Sequence, residues 1–201
     1  VGTLARPYNN IRTAMAAAEA GDIVRIVGNG GADNNLSTLS DNAAYEIGFD
    51  ALSQPLADGA TLEIPRDVTV VVDEGAIFKL RRARIGVGSS STNVDRSGSA
   101  LQVLGTPSHS VYFTSINDET IGVDSNPLLT TPNPGDWGGL VFRHDVDSSQ
   151  GRFVYEDESV FLNYVNHADL RYGGGEVVIE SIQQIVTPIQ MIEARPTVTY
   201  N

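Results

Sequence analysis

The chain contains no cysteine, which excludes disulfide bonds, thiolate metal sites and cysteine nucleophiles. Its fold must therefore be stabilised by packing or by bound ions. Basic residues are scarce as well, because 13 Lys and Arg stand against 25 Asp and Glu for a formal net charge of -12. The resulting field repels nucleic acid and anionic membranes, so neither is an expected partner.

Long apolar runs are also missing. None approaches the roughly 18 residues that a membrane-spanning helix needs, and the chain begins at Val1 without a signal-like segment. At the other end, residues 196–201 alternate like a strand and stop without a cap. We therefore expect a processed or excised piece that continues beyond residue 201. The length and the 41% hydrophobic content predict a single domain over 1–201.

The sequence consists largely of short apolar strands joined by tight turns. In the stretch 98–115, strands at 101–104 and 111–113 flank a turn at 105–107 that cannot support a helix. Apolar and polar residues alternate in both strands, so one face of each points to a core. Further strands are predicted at 23–27, 43–49, 58–65, 68–72, 76–80, 137–142, 160–165, 168–172, 177–179, 189–192 and 198–200.

Residues 7–20 predict a short amphipathic helix. Ile11 and Met15 fall at helical spacing, and Asn9 or Asn10 can cap the N-terminus. This helix is expected to cover the first turn of a stack, whose apolar core and unpaired edges would otherwise be exposed.

Most of the predicted strands turn corners without a matched hairpin partner and without a helical crossover. Such strands pair more easily with the next coil of the chain than with their neighbours in sequence. Corresponding phrases, such as Val165 with Ile189 or Leu170 with Val198, recur after on the order of 20 to 30 residues, a period typical of solenoids. The prediction is an all-β fold, a right-handed parallel β-helix (solenoid) with a short N-terminal capping α-helix.

Polar segments interrupt this pattern. Two excursions, 114–136 and 143–159, leave the predicted stack, and ordered loops of such length are often functional. The Ser- and Gly-rich segment 86–98 is predicted as a further loop that is too polar for a core.

A basic cluster is predicted to be a solvated strand face or a partner contact rather than a polyanion site. Its members are Lys79, Arg81, Arg82 and Arg84.

Three phrases carry a resemblance to a known family: residues 2–26, residues 101–115 and the sequence Gly-Asp-Trp-Gly-Gly-Leu-Val-Phe at 135–142. They resemble the right-handed β-helix domains of large exported bacterial proteins in the pectate-lyase-like superfamily. The resemblance implies an extracellular or cell-surface location. It does not choose an activity, because this architecture carries lyases, hydrolases, adhesins and inert scaffolds.

The motifs that the resemblance implies for polysaccharide-cleaving enzymes are absent, since the chain has no Asp-Asp pair, no Gly-His-Gly and no Trp-Ile-Asp-His. Acid pairs such as Asp145 with Asp147, or Asp169 with Glu193, remain candidates for acid–base chemistry. We predict a noncatalytic scaffold for adhesion, matrix or filament assembly. The expected partners are a polysaccharide, another surface or matrix protein, or a further copy at the open end of the stack. The alternative is a carbohydrate-active (lyase- or hydrolase-like) or glycan-binding β-helix domain.

Four acids frame the first excursion, namely Asp118, Glu119, Asp124 and Asp136. Carboxylates are hard oxygen ligands that suit calcium, so this loop is either a calcium site or plain surface acidity. A glycan contact is the second candidate site, formed by Trp137, Asp145 and Asp147. The alternative interpretation is that the tryptophan packs in the core or in a loop and that the two acids lie in a solvated loop.

The three histidines have no mutual metal-ligand spacing, so structural roles are predicted for them. They are His109, His144 and His167.

Overall fold

The computed structural model describes residues 2–123, 131–179 and 181–201. In these residues the helices are α1 (Ile11–Ala17) and α2 (Asp145–Ser149), and one 3₁₀ turn spans Tyr155–Glu158. The strands are β1 (Ile23–Ile26), β2 (Tyr45–Gly48), β3 (Leu62–Glu63), β4 (Thr69–Asp73), β5 (Ile77–Arg81), β6 (Ile85–Val87), β7 (Ala100–Leu104), β8 (Val111–Ser115), β9 (Leu140–Arg143), β10 (Tyr164–Asn166), β11 (Ala168–Leu170), β12 (Glu176–Ile179), β13 (Ile182–Ile185), β14 (Ile189–Ile192) and β15 (Thr197–Thr199).

The strands form three parallel sheets and one antiparallel hairpin. Sheet A has the order β1-β4-β7-β10-β15, sheet B the order β2-β5-β8-β11, and sheet C the order β3-β6-β9-β14. The chain adds one strand to each sheet in turn and then returns to sheet A. This arrangement confirms the prediction of a mostly β fold with stacked parallel sheets. The hairpin, β12 with β13, is inserted between β11 and β14.

Strand register corrects two of the predicted correspondences. Val165 pairs with Val103 and Val198 in sheet A, whereas Ile189 belongs to sheet C. Leu170 pairs with a phenylalanine of sheet B rather than with Val198. The predicted matches were wrong because the hairpin inserted between β11 and β14 lengthens this circuit, so the expected repeat length leads to a strand of a different sheet.

Inward side chains of successive coils lie above one another in the core. The clearest column is aromatic, with ring centroids 5.5 Å apart between Tyr45 and Phe78, 4.9 Å between Phe78 and Phe113, and 6.4 Å between Phe113 and Trp137. Three of these four rings are fully buried. Stacked rings contribute about 0.5–1.5 kcal/mol per pair beyond the area they bury.

Helix α1 lies within the predicted segment 7–20 and is shorter than it. The Asn10 side chain caps it by accepting a hydrogen bond of 2.8 Å from the Thr13 amide. The first residue, Ile11, is buried in the core, and its amide donates to the Asp58 carboxylate at 2.7 Å. The helix ends at Ala17 because the next residue is extended.

The segment predicted as a loop at 86–98 begins inside a strand instead. Ile85 and Val87 are buried, and Gly86 lies between them on β6. The loop prediction failed at this point because glycine is typical of loops, whereas Gly86 lies in a strand and its missing side chain makes room for the Glu63 carboxylate.

Among the residues that the structure describes, the helices lack the length and the apolar character that a membrane span requires.

The basic cluster is only partly solvated, contrary to the sequence prediction. Lys79 and Arg84 are 0% and 1% exposed. The Arg84 guanidinium pairs with the carboxylate of Glu63, which lies on the preceding coil. Arg82, half-buried, pairs with Glu176 at 2.8 Å. Oppositely charged or hydrogen-bonding partners make the burial of these cations tolerable.

Candidate functional site

The first excursion folds back over the outer face of sheet B. Its residues Gly122 and Val123 donate backbone hydrogen bonds of 2.8 and 2.9 Å to the loop before β2. The carbonyl of Val123 accepts a 2.6 Å bond from the ammonium of Lys79. The ammonium is thereby covered, which explains how an outward-pointing lysine of β5 becomes fully buried.

Asp118 is a buried residue whose hydrogen bonds stabilise this excursion. Its carboxylate accepts hydrogen bonds from the Thr114 hydroxyl at 2.6 Å and from the Thr120 amide and hydroxyl at 2.9 and 2.6 Å. Burial raises the pKa of Asp118, but the hydrogen bonds from both threonines outweigh it, so that the pKa lies below its ordinary value of 3.8. The carboxylate is therefore ionised at neutral pH and engaged from both oxygens.

Asp136, another of the four predicted calcium ligands, has a different set of partners. Its Oδ2 accepts from the Ser115 hydroxyl at 2.5 Å, from the Asn117 amide group at 3.3 Å and from the Asn133 backbone amide at 3.0 Å. Ser115 also contacts Asp118, but through the backbone, because the Asp118 amide donates to the Ser115 carbonyl at 3.0 Å, while the Asp118 carboxylate is bound by Thr114 and Thr120. The two carboxylates therefore stabilise separate parts of the loop.

The other two predicted calcium ligands are Glu119 and Asp124. Glu119 is exposed, and Asp124 lies outside the described residues. Within the part of the chain that the structure describes, no group of three or more His, Cys, Asp or Glu side chains could hold a metal ion. Calcium binding by this loop stays a prediction.

Two acids and an arginine do converge on the outer face of sheet B, where β8 and β11 lie side by side. Arg171 donates to Asp169 at 2.7 Å and to the Thr120 hydroxyl at 3.5 Å. Its guanidinium lies 5.9 Å from the ring centroid of Tyr112. Asp169 first, and Asp118 to a smaller extent, raise the pKa of Arg171 above its ordinary value. Asp169 is thus paired with a neighbouring cation.

The second excursion contains α2 and the 3₁₀ turn. The two acids assigned to a glycan contact both lie on α2, but they bind different partners. Asp145 pairs with Arg143 at 2.7 and 2.9 Å, and this pairing holds the pKa of Asp145 below its usual value. Asp147 is buried, and it accepts from the Ser89 amide at 3.0 Å and from Arg152 at 3.1 Å. The two carboxylates therefore have different partners, and Asp147 ties the excursion to the loop after β6.

Trp137, the third residue assigned to a glycan contact, lies in the core. It is 0% exposed, its ring stacks on Phe113, and its indole N–H donates to the Arg171 carbonyl at 2.6 Å. A sugar therefore cannot reach the ring in this conformation.

A small cavity lies between the second excursion and the turn before β7. Its volume is about 20 Å³, which suits a single water molecule. The lining includes His144, whose Nδ1 is buried without a hydrogen-bond partner and lies 3.7 Å from Glu156 Oε2. A more open cleft of about 460 Å³ lies beside the β12–β13 hairpin and is lined by Phe49, Arg82 and Val178 among others.

Comparisons with protein-family models, with curated proteins and with solved structures find no match for this chain.

Proposed function

We propose that the chain is a right-handed parallel β-helix of the pectate-lyase-like kind that serves as an extracellular or cell-surface scaffold. Its role is adhesion, matrix or filament assembly, and not cleavage of polysaccharides. The winding of strands through sheets A, B and C in a constant order supports the fold, because parallel crossover connections are right-handed in about 98% of cases.

The use that the chain makes of its buried acids supports the scaffold role. Glu63, Asp118 and Asp147 each accept hydrogen bonds from two or more groups of the protein. The general acid of a glycosidase needs a raised pKa and access to the substrate. Asp58 does have a raised pKa, through burial, but it is covered by α1 and bonds to Ile11 and Glu46 amides.

The observation that carries the assembly proposal is the exposed edge formed by β15 of sheet A and β14 of sheet C. In the described residues, β15 pairs with β10 alone, and β14 with β9 alone. Apolar side chains are exposed along this edge, at Met191, Val198 and Tyr200. Unpaired strand edges with apolar side chains readily add a further strand, and for a chain of residues 1–201 the proposed source is a second copy.

Sedimentation velocity over a range of protein concentrations tests this proposal. We expect association that weakens in the Val198→Lys variant, because a charge on the edge strand opposes strand addition. Val94→Lys is the matched control, since Val94 is 37% exposed against 36% for Val198 and lies away from this edge. A wild-type chain that stays monomeric at every concentration would overturn the assembly proposal.

Glycan binding is the second candidate, favoured by the convergence of Arg171, Asp169 and Tyr112 on sheet B. An arginine over an aromatic ring suits a sugar carboxylate, which makes acidic polysaccharides the appropriate probe. Binding measured by calorimetry should be lost in Arg171→Gln and kept in Arg25→Gln, a change at an exposed ion pair on sheet A. Equal affinities for both variants, or no binding by the wild type, would reject this candidate. Assays for unsaturated products and reducing ends on the same samples detect cleavage.

A further inference from the structure

Three successive coils place their sheet A to sheet B corners above one another. These corners are residues 27–44 between β1 and β2, residues 74–76 between β4 and β5, and residues 105–110 between β7 and β8. A hydrogen bond of 3.2 Å from the Gly75 amide to the Ser110 carbonyl joins the second corner to the third. Side chains that are far apart in sequence therefore meet on this one outer edge.

Each corner contributes one residue to a series of side chains whose neighbouring polar atoms lie 3.2 and 3.4 Å apart. The Ser37 hydroxyl oxygen lies 3.2 Å from Nε2 of His109. On the other side of the ring, Nδ1 of His109 lies 3.4 Å from Oε2 of Glu74. When Nδ1–H faces the carboxylate, Nε2 has a free lone pair and can accept the serine proton.

The carboxylate of Glu74 is held in place by other residues of the third corner. The Thr106 hydroxyl donates to Oε2 at 2.6 Å. This bond, supported by His109, holds the pKa of Glu74 below its usual value. The Ser108 hydroxyl also lies 3.2 Å from His109 Nδ1. An ionised, oriented carboxylate at Nδ1 favours the tautomer in which Nε2 is the base.

The loop that carries Ser37 is fixed against the second corner. Leu36 packs over Gly75, whose positive φ of +73° and missing side chain make the approach possible, since a Cβ there would lie 2.8 Å from Leu36 Cδ2. The Ser37 amide donates to the Asn35 side chain at 3.0 Å. Ser37 is an exposed residue, so a substrate can approach it.

We propose that Ser37, His109 and Glu74 form a nucleophilic site that hydrolyses carboxylic esters with an accessible carbonyl, such as acetyl esters. This activity goes beyond the proposed scaffold role and does not depend on it. Geometry is the basis of the proposal, because a hydroxyl, a base and a carboxylate that can orient the base lie next to one another in that order, 3.2 and 3.4 Å apart.

The reaction has two balanced steps. Ser37 Oγ attacks the carbonyl carbon while Nε2 of His109 takes the hydroxyl proton; the ester C–O bond then breaks, and the alcohol leaves with that proton. Water next attacks the acyl-serine, giving one proton to Nε2. The bond to Ser37 breaks, the proton returns to Oγ, and the carboxylic acid is released. Glu74 is a positioning residue that holds the imidazole.

The test uses the full chain with p-nitrophenyl acetate and with a fluorophosphonate probe. We expect an initial burst of nitrophenol and covalent labelling of Ser37 located by mass spectrometry. Ser37→Ala should abolish labelling, and His109→Gln should slow hydrolysis by about 100-fold or more, the scale of general base catalysis. Ser40→Ala, an exposed serine of the same loop, is the control and should keep wild-type rates.

Glu74 is tested by comparing two substitutions. Glu74→Gln should slow labelling while Glu74→Asp restores part of the rate, with thermal unfolding midpoints unchanged in both. Labelling at another residue, or equal hydrolysis by wild type and Ser37→Ala, would overturn the proposal. Because association is measured separately by sedimentation, the scaffold proposal and the esterase proposal fail independently.

Discussion

Glu63 and Arg84 form a two-pronged ion pair inside the protein, with Nε to Oε1 at 2.7 Å and Nη2 to Oε2 at 3.1 Å. Their side chains are 8% and 1% exposed. The pair joins adjacent coils, because Glu63 lies on β3 opposite Gly86 of β6. A Cβ at Gly86 would overlap the Glu63 carboxylate, so the glycine provides the space for the pair.

Removing one partner of this pair should be costly. We expect Arg84→Met to lower the free energy of unfolding by about 3–5 kcal/mol, because the Glu63 carboxylate would be left buried without its cation. Arg25→Met is the control, since Arg25 is 61% exposed in its ion pair with Asp73, and surface pairs contribute about 0.2–1 kcal/mol. Urea unfolding measures both. Similar losses in the two variants would contradict a structural role for the buried pair.

Gly88 marks a place where two coils approach closely. Its φ is +83°, and a Cβ there would overlap the carbonyl oxygen of Arg143 on β9. Gly21 has a similar φ of +91° with nothing within 4 Å of a Cβ. Gly21→Ala should therefore cost only the backbone strain of about 1–2 kcal/mol, and Gly88→Ala about 1–3 kcal/mol more because the backbone must move. Equal unfolding free energies for the two variants would show that the coils are further apart.

The aromatic column predicts a large effect at its centre. Phe113→Ala removes a fully buried ring that stacks between Phe78 and Trp137, and we expect a loss of about 3–5 kcal/mol in unfolding free energy. Phe153→Ala, at a ring that is 56% exposed, is the comparison and should cost much less. Denaturant unfolding measures the difference in unfolding free energy between Phe113→Ala and Phe153→Ala. Equal losses in the two variants would contradict a continuous core.

Asp118 predicts a specific acid response. Its pKa is lowered in the folded protein, so the stability it contributes is present above its ordinary value of 3.8 and is lost as the pH falls through the lower folded value. Unfolding free energies from about pH 6 down to about pH 2 should show Asp118→Asn less stable at neutral pH and converging on wild type in acid. Glu119→Gln, at an exposed neighbour, should run parallel to wild type. A constant gap between Asp118→Asn and wild type would exclude this linkage.

Local alternation was enough to predict most strands and the stacked parallel sheets. It could not predict β6, because Gly86 serves as space for Glu63, nor the burial of Lys79, whose partner Val123 lies 44 residues away. The candidate sites show the same division. Asp118 and Asp136 are in the predicted loop, but their hydrogen-bond partners divide them, and a single sequence contains no signal for that division.

The proposed ester site was not predicted from the sequence for a related reason. Ser37 and His109 are separated by 72 positions and meet only because corners of successive coils stack. The spacing of the three histidines gave no indication of it. A search for polar residues at equivalent corners of each coil would have found it, once the register was known.

Strands that are neighbours in sheets A, B and C lie side by side in parallel register. Because the chain has no cysteine, a pair of introduced cysteines can report on this arrangement without competing thiols. Gln102 and Tyr164 are register partners on β7 and β10, and neighbouring strands are about 4.8 Å apart, within disulfide range. We expect rapid disulfide formation in Gln102→Cys/Tyr164→Cys and none in Gln102→Cys/Tyr112→Cys, whose strands belong to different sheets. An antiparallel sandwich would instead cross-link the second pair and not the first, and that result would contradict the parallel pairing of the strands.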